Sequence, residues 1–263
     1  MKRVLVTGGT GVLGKEVVEA LKARGSIPRV LSRKNILSWP GVETVQGDLT
    51  TGAGVEAALK DVEVVIHCAH NPTHARQNTL ATQNLLKAVQ QSSVKHVVLI
   101  SIIGIDRLTF YPYYKAKLQD EQVLESSGIP YTILRAAQFH DFVGFLIQSI
   151  VKSPLILLPR DLPFQPVGLS AVAETLAQAA LQAPAGRLPD LAGPEVLTLD
   201  QLTHSFLKAQ GIQKTMYTFP LPLSVFKVFR ELASSQVTRK GETWQEWLSR
   251  RSQTTNAYQK AQG

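Results

Sequence analysis

Along the first 135 residues, short apolar, β-branched runs alternate with stretches whose apolar positions recur at helical spacing. The runs are RVLVTG, PRVLS, ETVQG, EVVIHCA, HVVLIS and YTILR; the helical patterns cover Val12 to Arg24, a segment reaching about Gln91, and one starting at Pro112. The runs are apolar on both faces, as strands inside a parallel sheet must be. This alternation predicts βαβ units and an α/β fold with a doubly wound parallel sheet. After Arg135 the pattern loosens. FVGFLIQSIVKSPLILL, from Phe142, is interrupted by Gln148, Lys152 and Pro154, which predicts a core or cleft helix and then a strand rather than a membrane span. Pro154, Pro159, Pro163 and Pro166 mark a connection, a further helix starts at Ser170, and two or three short elements follow. The expectation is one domain over residues 1–263, with a core of about 1–155 and a small C-terminal cap of about 156–263 over the carboxyl edge of the sheet.

Composition narrows the function classes. Hydrophobic residues make up 44% and charged residues 18% of the chain, so a globular fold is expected throughout, with disorder only near SQTTNAYQKAQG. MKRVLVTGGTG has three apolar residues before its first glycine, which fits neither a signal peptide nor an anchor, and a cytoplasmic location is expected. The lone Cys68 excludes an internal disulfide framework and any CxxC motif. The net charge of +8 is concentrated early: eight Lys/Arg in residues 1–40 face only Glu16 and Glu19. No arginine-rich helix or aromatic interleaving accompanies this bias, so an anionic cofactor explains it better than nucleic acid.

RVLVTG runs directly into GGTGVLGKEVVEALK, satisfying Gly9-x-Gly11-x-x-Gly14 between a strand and a helix at the start of a βαβ unit. That is the phosphate-binding context of the Rossmann fold: glycine lets amides approach a pyrophosphate, and a helix beginning near Val12 offers unpaired N–H groups and a positive dipole end. Thr7, Gly8, Gly9, Thr10, Gly11, Val12 and Leu13 are the candidate contacts. Where NAD-selective sites carry an acid after the second strand, this chain has Ser32, Arg33 and Lys34. A 2′-phosphate is therefore expected, making NADP(H) the preferred cofactor and NAD(H) the second candidate. Asp48, in Gly47-Asp48-Leu49 after the third strand, is placed to accept from the adenine amino group, with Leu49 beside it. Ala69 and His70, after the fourth strand, are candidates to line the cofactor ribose. His67, His70 and His74 with Cys68 would have metal-ligand spacing only on a helix; the segment reads as strand and then loop around Pro72, and no metal is expected.

VTGGTGVLG, GDL, VVLISIIGIDR, YPYYKAKLQDE, SGIPYTILRAAQFHDF, PVGLSAVAETLA and GPEVLTLDQL, in this order, resemble the short-chain dehydrogenase/reductase superfamily and, within it, the atypical NmrA-like NAD(P)H-binding branch. The likeness covers nearly the whole chain and implies a Rossmann fold. For activity it implies either a reductase or a cofactor-binding regulator without catalysis.

FYPYYKAK contains Tyr-x-x-x-Lys twice, as Tyr111…Lys115 and Tyr113…Lys117. Pro112 suits the first position of a helix and biases Tyr111 toward an extended backbone ahead of it. Lys115 shares its face with Gln119, Gln122 and Ser126, whereas Lys117 lies with Tyr113 and Leu124, beside Ala116 and Val123. Tyr113 and Lys117 are thus the expected inward pair. The resemblance implies that Lys117 binds the nicotinamide ribose and that Tyr113 is a general acid, its phenol acidified by the ammonium. Ser101, twelve residues before Tyr113, is the candidate to hydrogen-bond a substrate carbonyl. The chain departs from the family here, reading Ser-Ile-Ile-Gly where many relatives have two adjacent serines, so that Ile102 occupies the second position. Ala137, Gln138 and Phe139 follow the last core strand as candidate nicotinamide contacts, and Phe139, Phe142 and Phe145 as cleft lining; His140 faces either the substrate or the protein interior. Two functions remain open: an NADPH-dependent oxidoreductase acting on a carbonyl or conjugated double bond of a small, fairly apolar substrate, and a non-catalytic NADP(H)-binding regulator with a protein partner.

Overall fold

The structure, a computed structural model, describes residues 1–34, 38–71, 74–109, 112–220 and 237–251. Two compact units are built from interleaved stretches of chain: residues 1–135 with 172–188, and residues 136–171 with 189–263.

In the first unit, strands β1 (Arg3–Thr7), β2 (Ile27–Ser32), β3 (Glu43–Gln46), β4 (Val64–His67), β5 (His96–Ile102) and β6 (Tyr131–Ala136) form a sheet in the order β3-β2-β1-β4-β5-β6. The paired strands are parallel, with Thr7 in register with Leu31 and His67, and His67 with Leu99. This is the Rossmann strand order, with the crossover point between β1 and β4. Helices α1 (Val12–Ala23), α2 (Val55–Leu59), α3 (Ala75–Gln90) and α4 (Pro112–Ser126) make the crossovers. Leu5, Val65, Val97 and Leu99 join Leu59, Leu85, Val89 and Leu124 in one buried core, so helix and sheet each cover the other's apolar face.

The second unit contains α5 (His140–Val151), β7 (Ile156–Pro159), β8 (Pro163–Phe164), β10 (Leu191–Ala192), β11 (Leu197–Thr198), α7 (Leu199–Ala209), β12 (Met216–Phe219), β13 (Thr238–Arg239) and α8 (Trp244–Arg251). The chain passes between units along α6 (Leu169–Leu181) and returns after β9 (Gly186–Arg187), which pairs with β6 in the first unit. Val143, Ile147, Leu202, Phe206, Trp244 and Trp247 form the core of the second unit. His140 is buried there against the stacked Trp244 and Trp247 rings, at 5.7 and 5.9 Å, and burial lowers its pKa to about 4. FVGFLIQSIVKSPLILL does form a helix followed by a strand, and none of the helices among the described residues is long and apolar enough to cross a membrane. The short elements after α6 outnumber the expected two or three, because strands of two residues carry no readable period. Tyr111, Pro72 and the SQTTNAYQKAQG tail lie outside the described residues.

Candidate cofactor-binding and active site

The phosphate loop leaves β1 at Thr7 and enters α1 at Val12. Gly8 has φ +68°, in the left-handed region, and a Cβ there would lie 2.7 Å from the Ala69 backbone. A Cβ at Gly14 would strike the Gly8 oxygen, so α1 packs directly on the turn. Gly11 differs: its Cβ would meet only the Gly8 oxygen, at 3.1 Å, leaving the space beyond open. Gly11 is the N-cap of α1 and gives no side-chain cap, so the first-turn amides at Val12, Leu13 and Gly14 keep their donors. An open cradle with outward donors fits a dinucleotide pyrophosphate.

Thr7 underlies this loop. It has no exposed surface, its hydroxyl is 2.6 Å from His67 Nδ1, and it accepts from the Ala69 amide. His67 Nε2 lies 3.1 Å from Thr82 Oγ1 on α3; burial, with the Lys117 charge, pushes the His67 pKa down to about 3 and keeps the imidazole neutral. Thr10 is exposed on the loop. At the end of β2, Ser32 Oγ accepts the Lys34 amide, which orders the turn that carries the exposed Arg33. Asp48 Oδ1 accepts the Thr50 amide, and Leu49 is buried in the core.

The loop after β4 links the cradle to α4. Ala69 abuts Gly8, and the next residue, His70, has its ring 5.6 Å from the Tyr113 ring and its Nδ1 3.3 Å from the Cys68 carbonyl oxygen. On α4, Lys115 is exposed and Lys117 is 3% exposed. Lys117 Nζ lies 3.9 Å from Asp120 Oδ2. Gly8, Ala69, His70, Tyr113 and Lys117 thus succeed one another at the carboxyl ends of β1, β4 and β5.

Ser101 is buried, and its surroundings differ from those of the tyrosine. It neighbours Glu121, which is fully buried and chelated by Arg135 at 2.8 and 2.9 Å and bridged by Arg187 at 2.8 Å. Burial opposes ionisation of Glu121, but the hydrogen bonds from Arg135 and the two arginine charges outweigh it and hold the carboxyl below its ordinary value; the Ser101 hydroxyl lies nearby without a hydrogen-bond partner among the described residues. Sequence reasoning missed this cluster; its members are 14 to 66 residues apart from Glu121 and share no motif.

In the second unit, the Ala137 amide donates to Leu191, Gln138 accepts from the Val167 amide, and Phe139 is the N-cap of α5. Phe142 is 41% exposed.

Residues 8–151 match a family model described as NAD(P)H-binding. A (4-alkanoyl-5-oxo-2,5-dihydrofuran-3-yl)methyl phosphate reductase of Streptomyces griseus is 28% identical over 79% of this chain and 74% of its own length. The photosystem II assembly factor Ycf39 of Trieres chinensis is 31% identical over 61% of this chain, which spans only about half of that relative's length, 51%. An NADPH-dependent quinone oxidoreductase of Escherichia coli, solved with NADPH, superposes with a TM-score of 0.74 over 94% of this chain and 99% of that one, at 19% identity, and shares the fold. The open glycine cradle, the strand order and the matched segment together show that this chain belongs to the NAD(P)H-binding family.

Proposed function

We propose that the protein is an NADPH-dependent reductase of the atypical, NmrA-like short-chain dehydrogenase type, acting in the cytoplasm on a carbonyl or enone-type double bond of a small, fairly apolar molecule. The observation that carries this reading is the buried Lys117, one helical turn after Tyr113, joined to the phosphate loop through His70 and Ala69. The amides of Val12 and Leu13 hold the pyrophosphate, while the Gly11 amide closes the turn on the Gly8 oxygen and its missing side chain leaves room for the phosphates. The Ser32 hydroxyl already accepts one hydrogen bond, so its proton is free to donate to a 2′-phosphate beside the Arg33 guanidinium. Lys117 binds the nicotinamide ribose, Asp48 and Leu49 border the adenine, and Ala137, Gln138 and Phe139 border the carboxamide. Bound NADPH supplies the hydride; Tyr113 holds a proton on its phenolic oxygen and releases it to the substrate oxygen, with the Lys117 charge stabilising the phenolate. Similarity to the Streptomyces reductase supports a reduction. NADPH oxidation measured against a panel of aldehydes, ketones and quinones tests this; turnover that Tyr113→Phe leaves intact would overturn it.

A second reading is a non-catalytic NADP(H)-binding regulator with a protein partner. Ser101 favours it: the hydroxyl is buried against Glu121 rather than offered to a substrate, and Ile102 occupies the adjacent position. That reading becomes the better account if no substrate is turned over while Lys117→Ala still weakens NADPH binding.

A further inference from the structure

Besides Lys117 and the arginine-paired Glu121, α4 buries a third charged side chain, for which the proposed reaction has no use. Asp120 is 1% exposed, its Oδ2 lies 3.9 Å from Lys117 Nζ, and its Oδ1 has no hydrogen-bond partner among the described residues. A carboxylate is costly to bury unless a counter-charge offsets its desolvation. Among the described residues, Lys117 is the only cation within ion-pair distance of Asp120. At 3.9 Å the pair is longer than a charge-assisted hydrogen bond of about 2.7–2.9 Å, so Lys117 retains donors for other acceptors.

The other titratable groups around this pair carry no free charge. On α4, Glu121 is matched by Arg135 and Arg187. At the end of β4 burial holds His67 neutral, and in the next residue it pushes the Cys68 thiol up to about 12. In the following loop His70 keeps an exposed edge, yet burial of its ring and the Lys117 charge lower its pKa to about 4. Across on α3, Thr82 is the neutral neighbour. Burial raises the Asp120 pKa and the Lys117 charge opposes the rise. Asp120 is therefore the one carboxyl within ion-pair distance of Lys117 among the described residues.

We propose that Asp120 is a positioning residue that holds the Lys117 ammonium toward the following turn of α4 and shares its charge, so that the pair, not Lys117 alone, sets the acidity of Tyr113. The inference rests on the reading of Tyr113 as proton donor, and it names the control of that same site. Removing the Asp120 charge leaves the full field of Lys117 on the phenol and makes it more acidic.

The test is a tyrosinate absorbance titration of the ligand-free protein, with the Tyr113→Phe spectrum subtracted to isolate one phenol. Asp120→Asn is expected to lower the Tyr113 midpoint by about one pH unit, the size of a unit charge two helical turns, about 10 Å, away at an effective dielectric of about 20. Asp120→Ser removes the same charge with a smaller side chain and serves if the Asn variant does not fold; Asp120→Glu should restore the midpoint. In NADPH-dependent reduction the alkaline limb of the rate should fall to lower pH by the same amount, because the phenol form donates. An unmoved or raised midpoint in the neutral variants overturns the proposal. A shifted midpoint in a protein that reduces no substrate supports the role of Asp120 while overturning the reductase reading, and the reverse pair of results spares the reductase.

Discussion

Lys115 and Lys117 stand two positions apart on α4, a rotation of about 200°, and the first is exposed while the second is buried. Lys117→Ala is therefore expected to weaken NADPH binding measured by calorimetry, and Lys115→Ala to leave it unchanged. Tyr113→Phe removes one oxygen and should keep the affinity while cutting turnover by about 10²–10⁴, the usual worth of a positioned acid. Arg33→Ala should lower NADPH affinity roughly ten- to a hundredfold, the loss of a charged hydrogen bond of about 1.5–3 kcal/mol, with little effect on NADH; calorimetry on both cofactors reads the difference. At this scale the sequence is informative where spacing governs. The side of α4 on which Lys117 lies follows from the polar company of Lys115, whereas the Ser101–Glu121 contact depends on partners brought from β6 and β9, which no local pattern announces.

Single elements repeat that division. The strand, glycine turn and helix of the phosphate loop are readable because each carries its own constraint: apolar residues on both faces, a left-handed turn at Gly8, and a 3.6-residue period. Thr198 and Gln201 likewise form a reciprocal capping box at the start of α7, a signature visible in Thr-Leu-Asp-Gln. Five-residue α2 and two-residue β9, β10 and β13 are too short to show a period and exist because neighbouring chain pairs with them. The glycines of the loop make a contrast that mutation can read. Gly11→Val should abolish cofactor binding while the far-ultraviolet circular dichroism stays native, since its side chain points into open space. Gly14→Val should instead lower the melting temperature, because its Cβ collides with backbone.

For the molecule as a whole, buried neutral histidines set the acid limit. His67, His96 and His140 have pKa values lowered by burial to about 3, 4 and 4 from an ordinary 6.5. The unfolded chain binds these protons first as pH falls, so the stability they contribute is complete above pH 6.5 and is lost progressively below it. Unfolding free energies from urea titrations should be level above about pH 7 and fall below 6.5, with a slope approaching roughly 4 kcal/mol per pH unit if all three take part. Arg135→Gln should cost about 3–5 kcal/mol in the same assay, as it strips the fully buried Glu121 of its bidentate partner.

The interleaving of the two units has a consequence for how the gene can be cut. The segment matched by the NAD(P)H-binding family model ends at residue 151, yet the first unit takes residues 172–188 from beyond that point. A fragment ending at 151 would lose β9 from the side of β6 and Arg187 from Glu121, exposing a strand edge and half-stripping a buried carboxylate at once. The nucleotide-binding half is therefore not a transplantable cassette: recombination with a related protein would have to exchange two separate stretches of gene together.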